Sequence, residues 1–142
     1  MEYNRIMSLA SAREVRSAGA PIAAAASLAG PALRTFQNIT DCWKLKPAQR
    51  RALLGNIPSA TYYRVRQNPD SAELSADTLE RISHVLAIYK ALHVLFPSDT
   101  YADRWISEPN QAFGGGTARD KMLSGFTQLV AVRQYLDAQR GW

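Results

Sequence analysis

Apolar side chains along this chain recur at intervals of three and four, the period of helices that bury one face. Leu33, Phe36, Ile39 and Trp43 form one such stripe behind Pro31, a residue suited to the first turn of a helix because its missing N–H has no intrahelical partner there. Two short segments follow. Pro47 opens one over 47–54 that stops at Gly55-Asn56, and the second runs over 60–67 with Pro69 closing it. Short helix, glycine-bearing turn and second short helix describe a helix-turn-helix. In it Ala52 lets the second helix approach, Asn56 tolerates left-handed backbone, and Ile57, Tyr62 and Val65 turn inward. Arg51 and Gly55 stand where many such units carry apolar side chains. Next, Leu79, Ile82, Val85, Leu86, Ile88, Tyr89, Leu92 and Leu95 spread over more than one stripe of a long helix. This predicts a central strut buried on several sides, capped by Ser75, with Leu74 placed to staple onto Leu79. Ser98 caps a shorter helix carrying Tyr101 and Trp105.

Residues 105–125 are the most heavily punctuated stretch. Pro109 forbids continuation of the preceding helix, which should end near Ser107 or Glu108, and Asn110 tolerates the positive φ that a helix exit often needs. Phe113 is an apolar anchor inside the loop, Gly114-Gly115-Gly116 supplies a sharp turn, and Thr117 with Asp120 has the spacing of a capping pair. A helix over 118–123 follows. Gly125 breaks it, and Phe126, Leu129, Val130, Val132, Tyr135 and Leu136 pattern a last helix ending at Arg140-Gly141-Trp142. A glycine turn before a helix invites comparison with phosphate-binding loops, but no Gly-Lys-Ser/Thr follows, no β-branched strand precedes, and the dinucleotide-fold glycine spacing is missing. A structural turn is expected. Residues 1–30, rich in alanine and serine and broken at Gly19-Ala20-Pro21, are expected to be a mobile or loosely docked arm with one short helix. The chain thus divides into an arm (1–30), a helix-turn-helix region (31–73) and a C-terminal helical domain (74–142), all-α throughout.

Composition narrows the chemistry. The chain has 142 residues, 46% of them hydrophobic, as an ordinary globular protein does. One cysteine, Cys42, excludes an internal disulfide, points to a reducing cytoplasm, and is expected to be a small packed residue. No apolar run reaches the length of a membrane span, and the apolar stretch at 18–33 follows too long and too mixed a charged segment for a secretory leader. His84 and His93 lie nine apart, outside ligand spacing on one face, and are expected as packing or surface residues; Asp99 and Asp103 are expected as a surface pair. No local motif for catalysis, metal or cofactor is present.

Charge is unevenly placed. Residues 31–70 carry seven basic and two acidic groups, whereas residues 71–142 carry seven and eight. Between Lys44 and Arg66 there are six basic residues and no acid, a candidate polyanion-facing surface. The outward side of the second short helix would be Ser59, Ala60, Tyr63, Arg64 and Gln67. Arg64 can grip guanine, Gln67 can pair with adenine, Ser59 sits at the helix N-terminus beside phosphate, and Lys44, Lys46, Arg50 and Arg66 would hold the DNA backbone.

Taken together, the two halves resemble the MbcA/ParS/Xre antitoxin family, specifically the Xre-type antitoxins paired with RES-domain toxins. The C-terminal resemblance rests on Trp105, Pro109-Asn110, Phe113-Gly114-Gly115, Thr117, Met122-Leu123, Val130, Leu136 and Gly141; the N-terminal one rests on Leu53-Leu54-Gly55 and Thr61-Tyr62-Tyr63-Arg64. The resemblance implies a helix-turn-helix DNA-binding unit packed through the long central helix onto a small toxin-binding domain. It implies a non-enzymatic protein that neutralises a NAD-degrading toxin by covering its active site, represses its own operon at operator DNA, and assembles with the cognate RES-domain toxin; a homodimer is expected because helix-turn-helix proteins commonly read paired half-sites. Toxin contacts are then expected at Asn110, Phe113, Gly114, Gly115, Arg133, Arg140, Gly141 and Trp142. The terminal Trp142 could plug the toxin's cleft or fold back on its own domain. The rival expectation is a stand-alone regulator whose C-terminal half only dimerises.

Overall fold

The computed structural model describes residues 28–141, so positions 1–27 of the expected arm, and Trp142, lie outside the described residues. The described chain holds α1 (Ala29–Cys42), α2 (Pro47–Leu53), α3 (Ser59–Gln67), α4 (Ala76–Leu95), α5 (Asp99–Arg104), α6 (Ala118–Leu123) and α7 (Phe126–Gln139). Single 3₁₀ turns intervene at Pro69–Ser71, Trp105–Ser107 and Gln111–Phe113. Among the described residues no helix is long and apolar enough to cross a membrane.

α1 starts earlier than its proline signal suggests. The carbonyl of Leu28 accepts from the Ala32 N–H at 3.0 Å, so Ala29 and Gly30, expected in the arm, are buried helical residues, and Pro31 sits harmlessly in the first turn. Its expected stripe of Leu33, Phe36, Ile39 and Trp43 is buried throughout. An Arg34–Asp70 ion pair ties this helix to the turn at Pro69–Ser71.

α4 is enclosed on every side. Ile82, Ser83, His84, Val85, Leu86, Ala87 and Ile88 are buried in succession, a run that covers the whole circumference of a helix with 3.6 residues per turn. α1, α5 and α7 pack around it, α6 packs on α7, and α6 also touches α2, so the two halves of the chain meet directly. One hydrophobic cluster extends from Ala32 to Leu136.

Directional contacts fix both ends of α4. At its start the Ser75 hydroxyl oxygen accepts from the Thr78 N–H at 3.1 Å, and the Thr78 hydroxyl donates to the carbonyl of Leu54 at 3.0 Å, docking the end of α2. Gly55, with φ +101°, lies against the Asp77–Arg81 ion pair: a Cβ there would stand 3.2 Å from Arg81 Nε and 3.3 Å from Asp77 Oδ2. At its other end His93 Nδ1 faces Asp99 Oδ1 at 3.1 Å and Nε2 faces Asp103 Oδ1 at 2.9 Å. The two aspartates expected as a surface pair thus converge on a histidine and hold α5 against α4.

Cys42 departs from expectation too. It is exposed rather than packed, because it ends α1, yet its thiol is hydrogen-bonded with Tyr89. Partial burial and the nearby carboxylate of Asp103 raise the thiol above its ordinary value, and the same two causes push the Tyr89 phenol up to about 12.

Two outcomes follow for stability. Gly55→Ala places an L side chain in a left-handed conformation against an ion pair and should cost about 1–3 kcal/mol in urea unfolding. Tyr89, whose ionisation is disfavoured in the folded chain, contributes stability that is present below its ordinary value of 10.0 and lost as pH rises toward about 12. The wild type should therefore lose stability between about pH 10 and about pH 12, and Tyr89→Phe should lose measurably less over that interval.

Candidate functional site

α3 turns Tyr62 and Val65 into the core and leaves Ser59, Ala60, Tyr63, Arg64, Arg66 and Gln67 exposed. Ala60, Tyr63, Arg64 and Gln67 fall at the i, i+3, i+4, i+7 spacing of a single outward stripe. Lys44 and Lys46 are exposed on the approach to α2. Among the described residues no carboxylate pairs with Lys44, Lys46, Arg64 or Arg66. The positive charge of this face therefore stays available to a polyanion.

Arg50 does not share that face. It is only 8% exposed, its Nε donates to the Leu45 carbonyl at 2.9 Å, and Nη1 pairs with Asp41 Oδ1 at 2.6 Å. Its guanidinium locks the corner between α1 and α2 instead of meeting solvent. Composition cannot separate a buried arginine from a surface one; the usable hint was Asp41, the acid nearest in sequence. Arg51, which looked out of place, donates its Nε to the Ile57 carbonyl at 2.9 Å and so braces the turn. In that turn Asn56 adopts the expected left-handed conformation, φ +60°.

The second candidate surface is the loop between Pro109 and Thr117, whose ends form an isolated bridge. Asn110 organises it from extended backbone, φ −139° and ψ 126°, rather than with the positive φ expected of it. Its N–H donates to the Gly116 carbonyl at 2.9 Å, its side-chain oxygen accepts from the Ala112 N–H at 2.9 Å, and its carbonyl accepts from Phe113 and Gly115 at 3.0 Å each. The Gly114 and Gly116 N–H groups donate to the carbonyls of Gln111 and Phe113 at 3.1 and 3.2 Å. All three glycine amides are thus consumed inside the loop, and no anion cradle remains. Gly114 and Gly115, with φ +68° and +87°, form the exposed tip.

Phe113 is half-buried. Its ring meets Trp105 edge-on at 6.2 Å and Tyr135 at 5.3 Å, Trp105 stacks with Tyr135 at 6.3 Å, and Lys121 Nζ lies 5.7 Å above the Phe113 ring. Behind the loop, Thr117 accepts from the Asp120 N–H at 3.1 Å and starts α6 as expected. Trp105, Lys121 and Tyr135 were not among the expected contact residues. Tyr135 was visible only as one position of the α7 stripe, and its convergence with Phe113 from the loop and Trp105 from the turn before it is a tertiary event.

Arg133 lies elsewhere. It is two residues from Tyr135, about 200° around a helix, and faces α4: Nη1 is 3.0 Å from His84 Nδ1 and Nε is 3.8 Å from Asp137 Oδ2. With Glu80, His84, Val130, Gln134 and Asp137 it lines a shallow groove of about 480 Å³. The structure therefore brings together Asn110, Phe113, Gly114 and Gly115 but separates Arg133 from them. Arg140 is half-buried just past α7, with its N–H on the carbonyls of Leu136 and Asp137; Gly141 is exposed, and Trp142 lies outside the described residues.

Comparison with known proteins matches both halves. Residues 17–87, half of the chain, match the family described as the antitoxin Xre-like helix-turn-helix domain, and residues 91–141 match the antitoxin Xre/MbcA/ParS C-terminal toxin-binding domain. A protein of Sinorhizobium fredii (strain NBRC 101917 / NGR234), named uncharacterized protein y4oB, is 44% identical over 110 residues, which cover 77% of this chain and 84% of that protein. Placed beside the exposed basic helix and the closed glycine loop, these matches show that the chain belongs to the Xre/MbcA/ParS family of antitoxins, with a helix-turn-helix region followed by a toxin-binding region.

Proposed function

We propose that this protein neutralises a RES-domain, NAD-degrading toxin by seating its C-terminal half over the entrance to the toxin's active site, and that it represses its own operon by binding operator DNA through α3. It performs no catalysis itself, and it works as a homodimer and within a larger toxin complex. The observation that carries the reading is the pairing, in one chain of this family, of a cationic outward stripe on α3 with an exposed glycine tip backed by the Trp105, Phe113 and Tyr135 rings. The stripe supplies what a duplex requires: Arg64 and Gln67 for base edges, Ser59, Lys44, Lys46 and Arg66 for phosphates. The tip supplies a half-buried aromatic anchor in a backbone that is already ordered, so docking sacrifices little conformational freedom. Arg140, Gly141 and Trp142 continue from α7 as the segment that reaches the toxin's cleft, Arg140 offering charge and Trp142 an apolar plug.

Two experiments test the two halves of this reading. In gel shifts against the DNA upstream of the gene, Lys46→Ala should weaken binding to all duplexes and reduce the salt slope by about 1, whereas Arg64→Ala should cost about 1–3 kcal/mol and relax base preference. Unchanged binding by both variants removes α3 as the reading face. Co-expression with a RES-domain toxin, followed by assay of cellular NAD, should show protection by the full chain and loss of protection when residues 139–142 are deleted. Full protection by the truncated chain rejects the plug, and failure of the two full-length proteins to co-purify rejects the partner.

A further inference from the structure

Tyr63 is one of three large apolar side chains that are exposed among the described residues, and it alone of these lies on the cationic stripe of α3. The residue is 44% exposed, yet its ring is not loose: it packs edge-on against Tyr62 with centroids 5.2 Å apart and planes at 72°, and Tyr62 is itself 1% exposed. One turn earlier on the same stripe stands Ala60, also exposed. A methyl and an aromatic ring therefore form an apolar strip beside Arg64 and Gln67, on a helix face where charge would otherwise be expected throughout. The small side chain at 60 lets the first turn of α3 come close to whatever it faces, and the ring held by Tyr62 loses little freedom on contact.

The major groove offers one methyl group to such a strip, the 5-methyl of thymine; the other base-edge groups there are hydrogen-bond donors, acceptors or bare C–H. We infer that Tyr63, supported by Ala60, reads a thymine methyl in the operator and is a specificity-determining residue of the DNA-binding face. The inference rests on the DNA-binding reading above and adds to it the chemical identity of one base. It also separates the labour along the stripe: Arg64 and Gln67 read polar edges, and Tyr63 reads an apolar one.

The test begins by selecting bound duplexes from a randomised library with the full wild-type chain. Each thymine of the selected site is then replaced, one at a time, by deoxyuridine, which removes only the methyl. One position per half-site should weaken wild-type binding about fourfold, the factor that burial of a single methyl-sized group corresponds to. Tyr63→Phe should keep that discrimination, and Tyr63→Ala should bind the thymine and deoxyuridine duplexes equally. Circular dichroism should show both variants as helical as the wild type, since the ring lies outside the core.

Three results would overturn the assignment while leaving DNA binding in place. They are a wild type indifferent to every deoxyuridine, a Tyr63→Phe variant that loses as much as Tyr63→Ala (which places the hydroxyl on a phosphate), and a Tyr63→Ala variant with unaltered DNA discrimination but a smaller sedimenting species (which makes the strip a protein contact). A wild-type chain that enriches no duplex at all would overturn the DNA-binding reading itself.

Discussion

The constraint on which the rest of this structure depends is the complete enclosure of α4. A helix with one apolar face can rest on a single neighbour, but a helix buried from Ile82 to Ile88 without interruption needs neighbours on every side. α1, α5 and α7 supply them. Removing any one would expose part of a strip of Leu, Ile and Val side chains whose burial contributes about 1.5–3 kcal/mol each. The helix-turn-helix therefore does not have a core of its own: Leu53, Leu54, Tyr62 and Val65 belong to the same cluster as Leu129, Val132 and Leu136. The family matches mirror this arrangement, because one ends at residue 87 and the other begins at residue 91, both inside α4.

Apolar burial has no direction, so something else must set how the two halves are turned relative to this axis. Polar contacts at the two ends of α4 do so. At the start, Thr78 fastens the last carbonyl region of α2, and the Asp77–Arg81 pair presses on Gly55. At the end, His93 between Asp99 and Asp103 fixes the bend into α5. Arg50, reaching from α2 to Asp41 and the Leu45 carbonyl, does the same for the corner between α1 and α2.

What was legible in the sequence was local. The α1 stripe, the caps at Ser75, Ser98 and Thr117, the left-handed Asn56 and the break at Gly125 are each decided within a few residues, and each is found as expected. The outward side of α3 was legible for the same reason, since Tyr62 and Val65 fix the phase of a short helix. What could not be seen depends on partners far away in the chain. Arg50 counts as a surface charge until Asp41 is brought to it, Asp99 and Asp103 count as a surface pair until His93 arrives from another helix, and Arg133 groups with Phe113 until the phase of α7 puts them on opposite flanks. Cys42 erred the other way: a small apolar residue was expected inside, but a helix end left it at the surface.

The glycine loop shows why residue type alone misleads about chemistry. Three glycines ahead of a helix have the composition of an anion site, yet an anion site requires amides directed outward. Here Asn110 reverses that direction. Its side chain and main chain draw the loop inward, so the amides of Gly114, Gly115 and Gly116 face carbonyls of the same loop, and the turn holds Phe113 against Trp105 and Tyr135. The loop thus holds an aromatic group half-buried and leaves a bare backbone tip exposed beside α6. Because α6 also packs against α2, this loop lies one helix away from the helix-turn-helix. The two surfaces of the molecule are separate in chemistry, one cationic and one aromatic, but they share a wall.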